Sequence, residues 1–316
     1  MKILANDGIS TNGIAIMEKA GFEVLTTTVS QEQLANYINE HKIDALLVRS
    51  ATKVRKELID NCPSLKLIGR GGVGMDNIDV VYAKSKNIHV INTPAASSES
   101  VAELVFAHLF GGVRFLYDAN RNMPLEGDSN FKELKKSYSK GTELRGKTLG
   151  IFGFGNIGQA TAKLAIGAGM NVVYCDPEVA NTNIELTFFD GQKVTFALKN
   201  TEKSELIKNA DYITLHIPGQ KGYVIGKEEL SQMKKGVGIV NAARGGVIDE
   251  VALVEALENG TVSFAGLDVY ESEPKPEVKI LMHPSISLSP HIGAATLEAQ
   301  ERIGSELAEQ IITLLK

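Results

Sequence analysis

The stretch 147–165, KTLGIFGFGNIGQATAKLA, decides how the chain is read. It opens as an apolar run of strand length, turns through glycines, and continues as small and apolar residues at helical spacing. Gly153, Gly155 and Gly158 fit G-x-G-x-x-G, the turn between strand and helix that receives a dinucleotide. With 30 glycines in 316 residues the pattern alone is weak. Its context strengthens it, because a second strand, 171–175, leads into Asp176, 18 residues past Gly158. Gly153 would permit the tight turn, Gly155 the approach of a pyrophosphate, and Gly158 close packing of helix on strand. The helix N-terminus would then offer its free N–H groups to the phosphates. Asp176 is placed to accept from the adenosine ribose hydroxyls and to repel a 2′-phosphate, and 177–180 hold no Arg or Lys to welcome one. The cofactor expected is NAD.

This motif begins almost halfway along the chain, so a whole domain must precede it. Apolar runs at 2–6, 23–26, 45–48, 66–69 and 89–92 alternate with amphipathic stretches such as 13–20 and 31–40. The pattern resumes with strands at 148–152, 171–175, 212–217, 237–241, 264–269 and 286–288. Strands separated by helices imply parallel sheets covered on both faces. The fold class expected is α/β, with two doubly wound parallel-sheet domains: a flavodoxin-like substrate domain and a Rossmann NAD-binding domain. A long helix, 98–120, is expected to join them after the hinge-like NTPAASS at 92–98. The last helical pattern, 295–315, has too little apolar surface to stand alone and is expected to pack back on the first domain. That makes the first domain discontinuous, 1–97 plus 289–316, with 98–288 as the second.

The composition is that of a globular chain, 43% hydrophobic and 22% charged. A net charge of -5 gives no global field for nucleic acid or an anionic membrane. The apolar start is too short for a signal peptide, and no run reaches the roughly 20 residues of a membrane helix. Cys62 and Cys175 lack metal-ligand spacing, and two buried free thiols in a cytoplasmic protein are expected.

Ionisable residues gather at strand ends in the second half. Arg244, in NAARGG, follows the strand 237–241, where a guanidinium can hold a carboxylate by two parallel hydrogen bonds. Asp268 ends a strand, and Glu271 and Glu273 follow in its loop; alone, these acids would read as solvated. His291, in SPHIGAAT, is the most pointed of six histidines, just past a strand and at the mouth of a helix. A helix N-terminus disfavours the imidazolium and a nearby carboxylate favours it, the balance proton exchange with a hydroxyl needs. His41 and His89 read as surface or strand-edge residues, His108 as packing or polar filler, and His216 as a border of the cofactor. In the first half, Arg49, Lys53, Arg55 and Arg70 form a local excess of positive charge. Lys53 and Arg55 read as solvated, whereas Arg49 and Arg70 end strands.

Taken together these residues resemble the D-isomer-specific 2-hydroxyacid dehydrogenases. The likeness covers essentially the whole chain, with VRSATKV (48–54), GRGGVGMDNID (69–79), LHIP (215–218), GLDVYESEP (266–274) and SPHIGAAT (289–296) in family order. It implies that Arg244 binds the substrate carboxylate and carbonyl, that His291 is the general acid/base, and that Glu273 is its hydrogen-bonded partner. It further implies that Asn156, Ile157 and Asp176 meet the adenosine half of NAD. The nicotinamide end would be lined by Val73, Ile217, Pro218, Ala242 and Asp268, with His216, Ala243, Gly293 and Ala294 beside them. Arg49, Ser50, Arg70, Gly71, Gly72 and Val73 would meet the substrate, a small phosphorylated 2-hydroxy or 2-oxo acid. A homodimer or homotetramer is implied. Longer members carry regulatory domains, and a short form without one is expected here. Unphosphorylated 2-oxo acids, or a dinucleotide-sensing corepressor role, are the rival readings.

Overall fold

A computed structural model describes residues 1–316. The chain divides into two compact units, Met1–Ser100 with Ala294–Lys316, and Val101–Gly293. The α/β class and the pair of parallel sheets expected from the sequence are both present.

The first unit is built on β1 (Lys2–Ala5), β2 (Glu23–Leu25), β3 (Ala45–Val48), β4 (Leu67–Arg70) and β5 (His89–Asn92). Their order is β2-β1-β3-β4-β5, all parallel. This is the flavodoxin order, whose switch point lies between β1 and β3. Every residue of β3, ALLV, is buried, because a central parallel strand is covered on both faces. Ala45 and Leu47 join one core with Ile3, while Leu46 and Val48 join the other with Leu4. The terminal helix Leu297–Leu315 belongs to this unit and buries Ile303, Leu307 and Ile311, one above another at four-residue spacing. Thr296 caps it by accepting from Ala299 N at 3.1 Å. Gly13 meets Gly304 there backbone to backbone, since a Cβ on Gly13 would sit 2.9 Å from Gly304.

The second unit holds β6 (Thr148–Phe152), β7 (Asn171–Cys175), β8 (Thr182–Thr187), β9 (Lys193–Leu198), β10 (Tyr212–Leu215), β11 (Val237–Asn241), β12 (Val262–Leu267) and β13 (Ile286–Leu288). Six form a parallel sheet in the order β13-β12-β11-β10-β6-β7. The strand that a Rossmann sheet carries beyond β7 is reduced to one parallel bridge, Tyr174 to Asn200. The connection leading to it is filled by an antiparallel hairpin, β8 with β9, which the sequence reading did not anticipate. The reversal of strand order between β6 and β10 opens the crevice where a ligand of such a sheet binds.

The helix expected at 98–120 is two helices, Ser98–Val113 and Leu116–Glu126, bent by 58°. The break falls at Phe115, which takes a left-handed φ of 55°. No single helix is long and apolar enough to cross a membrane. Cys62 is buried and Cys175 half-buried, and both are free thiols.

Candidate active site

The glycine loop leaves the carboxyl end of β6, and its three glycines are needed for three different reasons. Gly153 has a φ of +84°, and a Cβ there would lie 2.4 Å from His216 O. A Cβ on Gly158 would lie 2.2 Å from Gly153 O. Gly155 meets nothing within 4 Å, so its face is open toward whatever the loop receives. Gly155 is also the N-cap of the helix Asn156–Gly167 and brings no side-chain cap, which leaves first-turn N–H groups to an outside acceptor. Asn156 is exposed and Ile157 half-buried beside it.

Asp176 closes the loop from the end of β7. Its carboxylate accepts from Phe154 N at 2.6 Å, Glu178 N at 2.8 Å and Val179 N at 2.9 Å. Burial pulls its pKa up, but these backbone donors outweigh burial and hold it below the usual carboxylate range. Asn200 latches the acid's backbone, donating to Asp176 O at 2.6 Å and accepting from Asp176 N at 3.0 Å. On the other side of the loop His216 leaves β10 with Nε2 3.2 Å from the hydroxyls of Thr161 and Thr214. Its Nδ1 is buried without a partner, and burial pushes its pKa down to about 3, so the ring is neutral. Ile217 is half-buried and Pro218 exposed, both just past the sheet. An open glycine face, uncapped N–H groups and a firmly ionised acid at ribose distance in sequence fit a dinucleotide.

Arg244 follows β11 on a turn fixed by the buried Asn241, which donates to Arg244 O at 2.9 Å and accepts from Ala243 N at 3.1 Å. The guanidinium, half-buried, donates through Nη1 to Ala243 O at 2.6 Å. Ala243 is buried and Ala242 half-buried. Gly245 lets this turn press on the loop after β12, because a Cβ there would lie 1.9 Å from Tyr270 O.

That second loop carries Asp268, Tyr270 and Glu273. His291 Nδ1 stands 2.9 Å from Glu273 Oε2, and Glu273 Oε1 accepts from Tyr270 N at 3.0 Å. Both side chains remain exposed to solvent. His291 is held in the left-handed region at φ 55°, a conformation that persists only when the surroundings impose it. Asp268, 1% exposed, imposes it: Oδ1 accepts from Ile292 N and Oδ2 from Gly293 N, each at 2.8 Å. Its carboxylate, expected beside the nicotinamide, accepts from the backbone of the His291 loop. Burial, then the charge of Asp268, pushes the Tyr270 hydroxyl up to about 12, so it stays a donor, to Ser289 O at 2.8 Å.

In the first unit, Arg49 follows β3 and Arg70 ends β4, two neighbouring strands paired Val48 to Arg70. Asp7, after β1, accepts from Arg49 N at 2.6 Å and from both Thr52 N and its hydroxyl. Burial lowers the pKa of Arg49 and the nearby Asp7 charge opposes this; its side chain has no ion pair. Gly72, at φ +139°, leaves room for the Arg70 guanidinium, since a Cβ would come 2.1 Å from Nη1. The turn Gly71-Gly72-Val73 is pinned by Asn92 donating to Val73 O and by Thr93 accepting from Gly72 N, each at 2.8 Å. Ser50 is exposed. Arg55 pairs with Asp79 at 3.0 Å, the solvated role read for it. Ala294 opens the returning segment, its carbonyl taken by Gln300.

Sequence reasoning missed three supports: Asn200, Tyr270 and the pair His108–Ser289. Asn200 reaches Asp176, Tyr270 reaches Ser289 O and His108 reaches Ser289 across 24, 19 and 181 residues, which spacing does not reveal.

With this geometry in hand, comparison places the chain. Residues 106–293 match the family described as D-isomer specific 2-hydroxyacid dehydrogenase, NAD binding domain, and the chain belongs to that family. Among named relatives, a hydroxypyruvate reductase of Thermotoga maritima is 42% identical over 94% of this chain and 92% of its own. A D-3-phosphoglycerate dehydrogenase of Methanocaldococcus jannaschii is 41% identical over 100% of this chain, which spans 58% of that longer protein. A D-lactate dehydrogenase from Aquifex aeolicus, solved with NAD and lactic acid, superposes with a TM-score of 0.74 at 29% identity, over 100% of this chain and 95% of that one.

Proposed function

We propose that the chain interconverts D-3-phosphoglycerate and 3-phosphohydroxypyruvate. The observation that carries the phosphorylated substrate is the pair of arginines at adjacent strand ends of the first unit, one of them half-buried without an ion pair. They are assigned to the phosphate, and Arg244 to the carboxylate and the carbonyl oxygen. Bound NAD supplies the hydride acceptor. His291 takes the hydroxyl proton at Nε2, because Nδ1 is committed to Glu273. Asp176 receives the adenosine ribose hydroxyls and disfavours a 2′-phosphate, which makes NAD the preferred dinucleotide.

Comparing kcat/KM for 3-phosphohydroxypyruvate and hydroxypyruvate with NADH tests this. A preference for the unphosphorylated acid selects the second reading, a hydroxypyruvate reductase, which the 42% identity with the Thermotoga protein favours. The reading includes a cytoplasmic homodimer or homotetramer. Exposed apolar side chains in one segment, Leu116, Leu125 and Phe131, support assembly. Light scattering that returns a monomer at micromolar concentration would remove that part.

A further inference from the structure

A buried polar group outside the site with two side-chain partners is His108, 4% exposed in the middle of the helix Ser98–Val113. It packs against Gly266 of β12, where a Cβ would lie 2.6 Å from its own Cβ. Its Nδ1 is 2.8 Å from the Ser287 hydroxyl and its Nε2 is 3.0 Å from the Ser289 hydroxyl. Ser289 in turn donates to Asp268 Oδ1 at 2.6 Å.

The direction of every bond in this chain follows from its last member. Asp268 already accepts from the N–H groups of Ile292 and Gly293, so the Ser289 hydrogen points to it. Ser289 Oγ must therefore accept at His108, which puts the proton on Nε2. Burial lowers the His108 pKa against the opposing charge of Asp268, so the ring is neutral and Nδ1 is free to accept from Ser287. Each donor and acceptor then has one role, and none is left over.

We propose that His108 is a positioning residue for His291. Through Ser289 it orients Asp268, and Asp268 holds the left-handed turn that sets His291 against Glu273. Tyr270 anchors the same turn from the other side, by its hydroxyl on Ser289 O and its amide on Glu273. Replacing His108 by an apolar residue leaves the buried Ser289 oxygen without its donor and the Ser287 hydroxyl without its acceptor, so Ser289 is no longer held toward Asp268 and the turn that depends on them relaxes. The proposal rests on His291 being the acid/base.

The test uses His108→Leu, His108→Gln and Ser289→Ala in the whole protein. A glutamine amide can donate where Nε2–H donates and accept where Nδ1 accepts. His108→Leu is expected to lower kcat about tenfold, the scale of a small misplacement of a reacting group, with KM and NADH affinity within about twofold. His108→Gln is expected to recover most of that loss. Ser289→Ala should act on the same link, so the double variant with His108→Leu loses little more than either single one. Independently of turnover, 15N NMR of the histidine rings reads the neutral tautomer of His291. The Nδ1–H form, held by Glu273, should lose population in His108→Leu and regain it in His108→Gln. A His108→Leu protein that melts lower but keeps its kcat and its His291 tautomer would overturn the proposal, as would additive losses in the double variant. If His291→Ala left kcat unchanged, the acid/base reading would fail, while the tautomer would still report whether His108 holds the turn.

Discussion

Each unit carries a glycine-rich turn at the carboxyl end of a parallel strand, yet the two turns present different chemistry. At the second unit, GFGNIG offers backbone: an open glycine face and uncapped N–H groups at a helix start. At the first, GGV follows β4, which ends in Arg70, and the turn offers side chains: glycines make room for Arg70, and Arg49 lies one strand away. A backbone cradle reads shape and distance, so it suits a ligand part that never varies, such as a pyrophosphate. Guanidinium groups carry full charge and a planar fork, and are replaced by a single substitution without rebuilding the loop. On the proposed reading, the invariant ligand falls to the backbone and the variable one to the side chains. The pair His291–Glu273, to which the proton transfer is assigned in the proposal, belongs to the second unit with the backbone cradle.

This division is sharpest where chemistry and binding can be separated. His291→Ala should lower kcat about 10²- to 10⁴-fold, the span of general acid–base catalysis, with NADH affinity nearly unchanged. Equal losses in kcat and NADH affinity would make His291 a cofactor residue. Arg49→Ala and Arg70→Ala should instead raise KM for a phosphorylated substrate by about 10- to 100-fold, the worth of one charge-assisted hydrogen bond. Unphosphorylated substrates should barely notice. If both substrates weakened alike, the first unit would not be reading the phosphate.

The cradle itself makes a paired prediction. Gly158→Ala places a methyl group on Gly153 O and should cost about 1–3 kcal/mol of stability, as overpacking does. Gly155→Ala meets no protein atom, so its melting temperature should hold while NADH titration shows weaker binding. A Gly155→Ala protein that melts as low as Gly158→Ala would deny the open face. Asp176→Ala should weaken NAD about tenfold and NADP less, read by fluorescence titration of the reduced forms; equal weakening would count against the ribose assignment.

Central parallel strands were legible because burial on both faces turns them into unbroken apolar runs, as in ALLV of β3 and VGIVN of β11. Ends were less so: β10 stops at Leu215, because His216 and Ile217 have already left the sheet for the loop. The hairpin β8–β9 escaped notice because its strands lie largely in solvent, β9 exposed along all but its last residue, although Asp190-Gly191 at its turn is a hairpin signal. Phe115 carries no mark of its left-handed bend. Arg244, Glu273 and His291 could be picked out as candidates because each follows a strand of the parallel sheet. His108 could not, because nothing in VFAHLF says that Ser287 and Ser289 will arrive from 179 and 181 residues away.

The smallest effect concerns acid. In the second unit, burial depresses the pKa of His108, His216 and His283 below the ordinary histidine value of 6.5, His216 to about 3. In the native protein these rings take up protons only at lower pH than in the unfolded chain, which binds them as pH falls through 6.5. The unfolded state then holds more protons, so stability rises with pH and is lost as pH drops toward the folded values. Each such ring adds a slope of at most about 1.4 kcal/mol per pH unit in that window. Denaturant unfolding between pH 6.5 and 5, above the range where most carboxylates titrate, reads this slope. His216→Gln keeps a polar group near Thr161 and Thr214 but binds no proton, so its stability should fall less steeply over the same interval. A variant as steep as the parent would mean that His216 already takes up its proton in the folded chain.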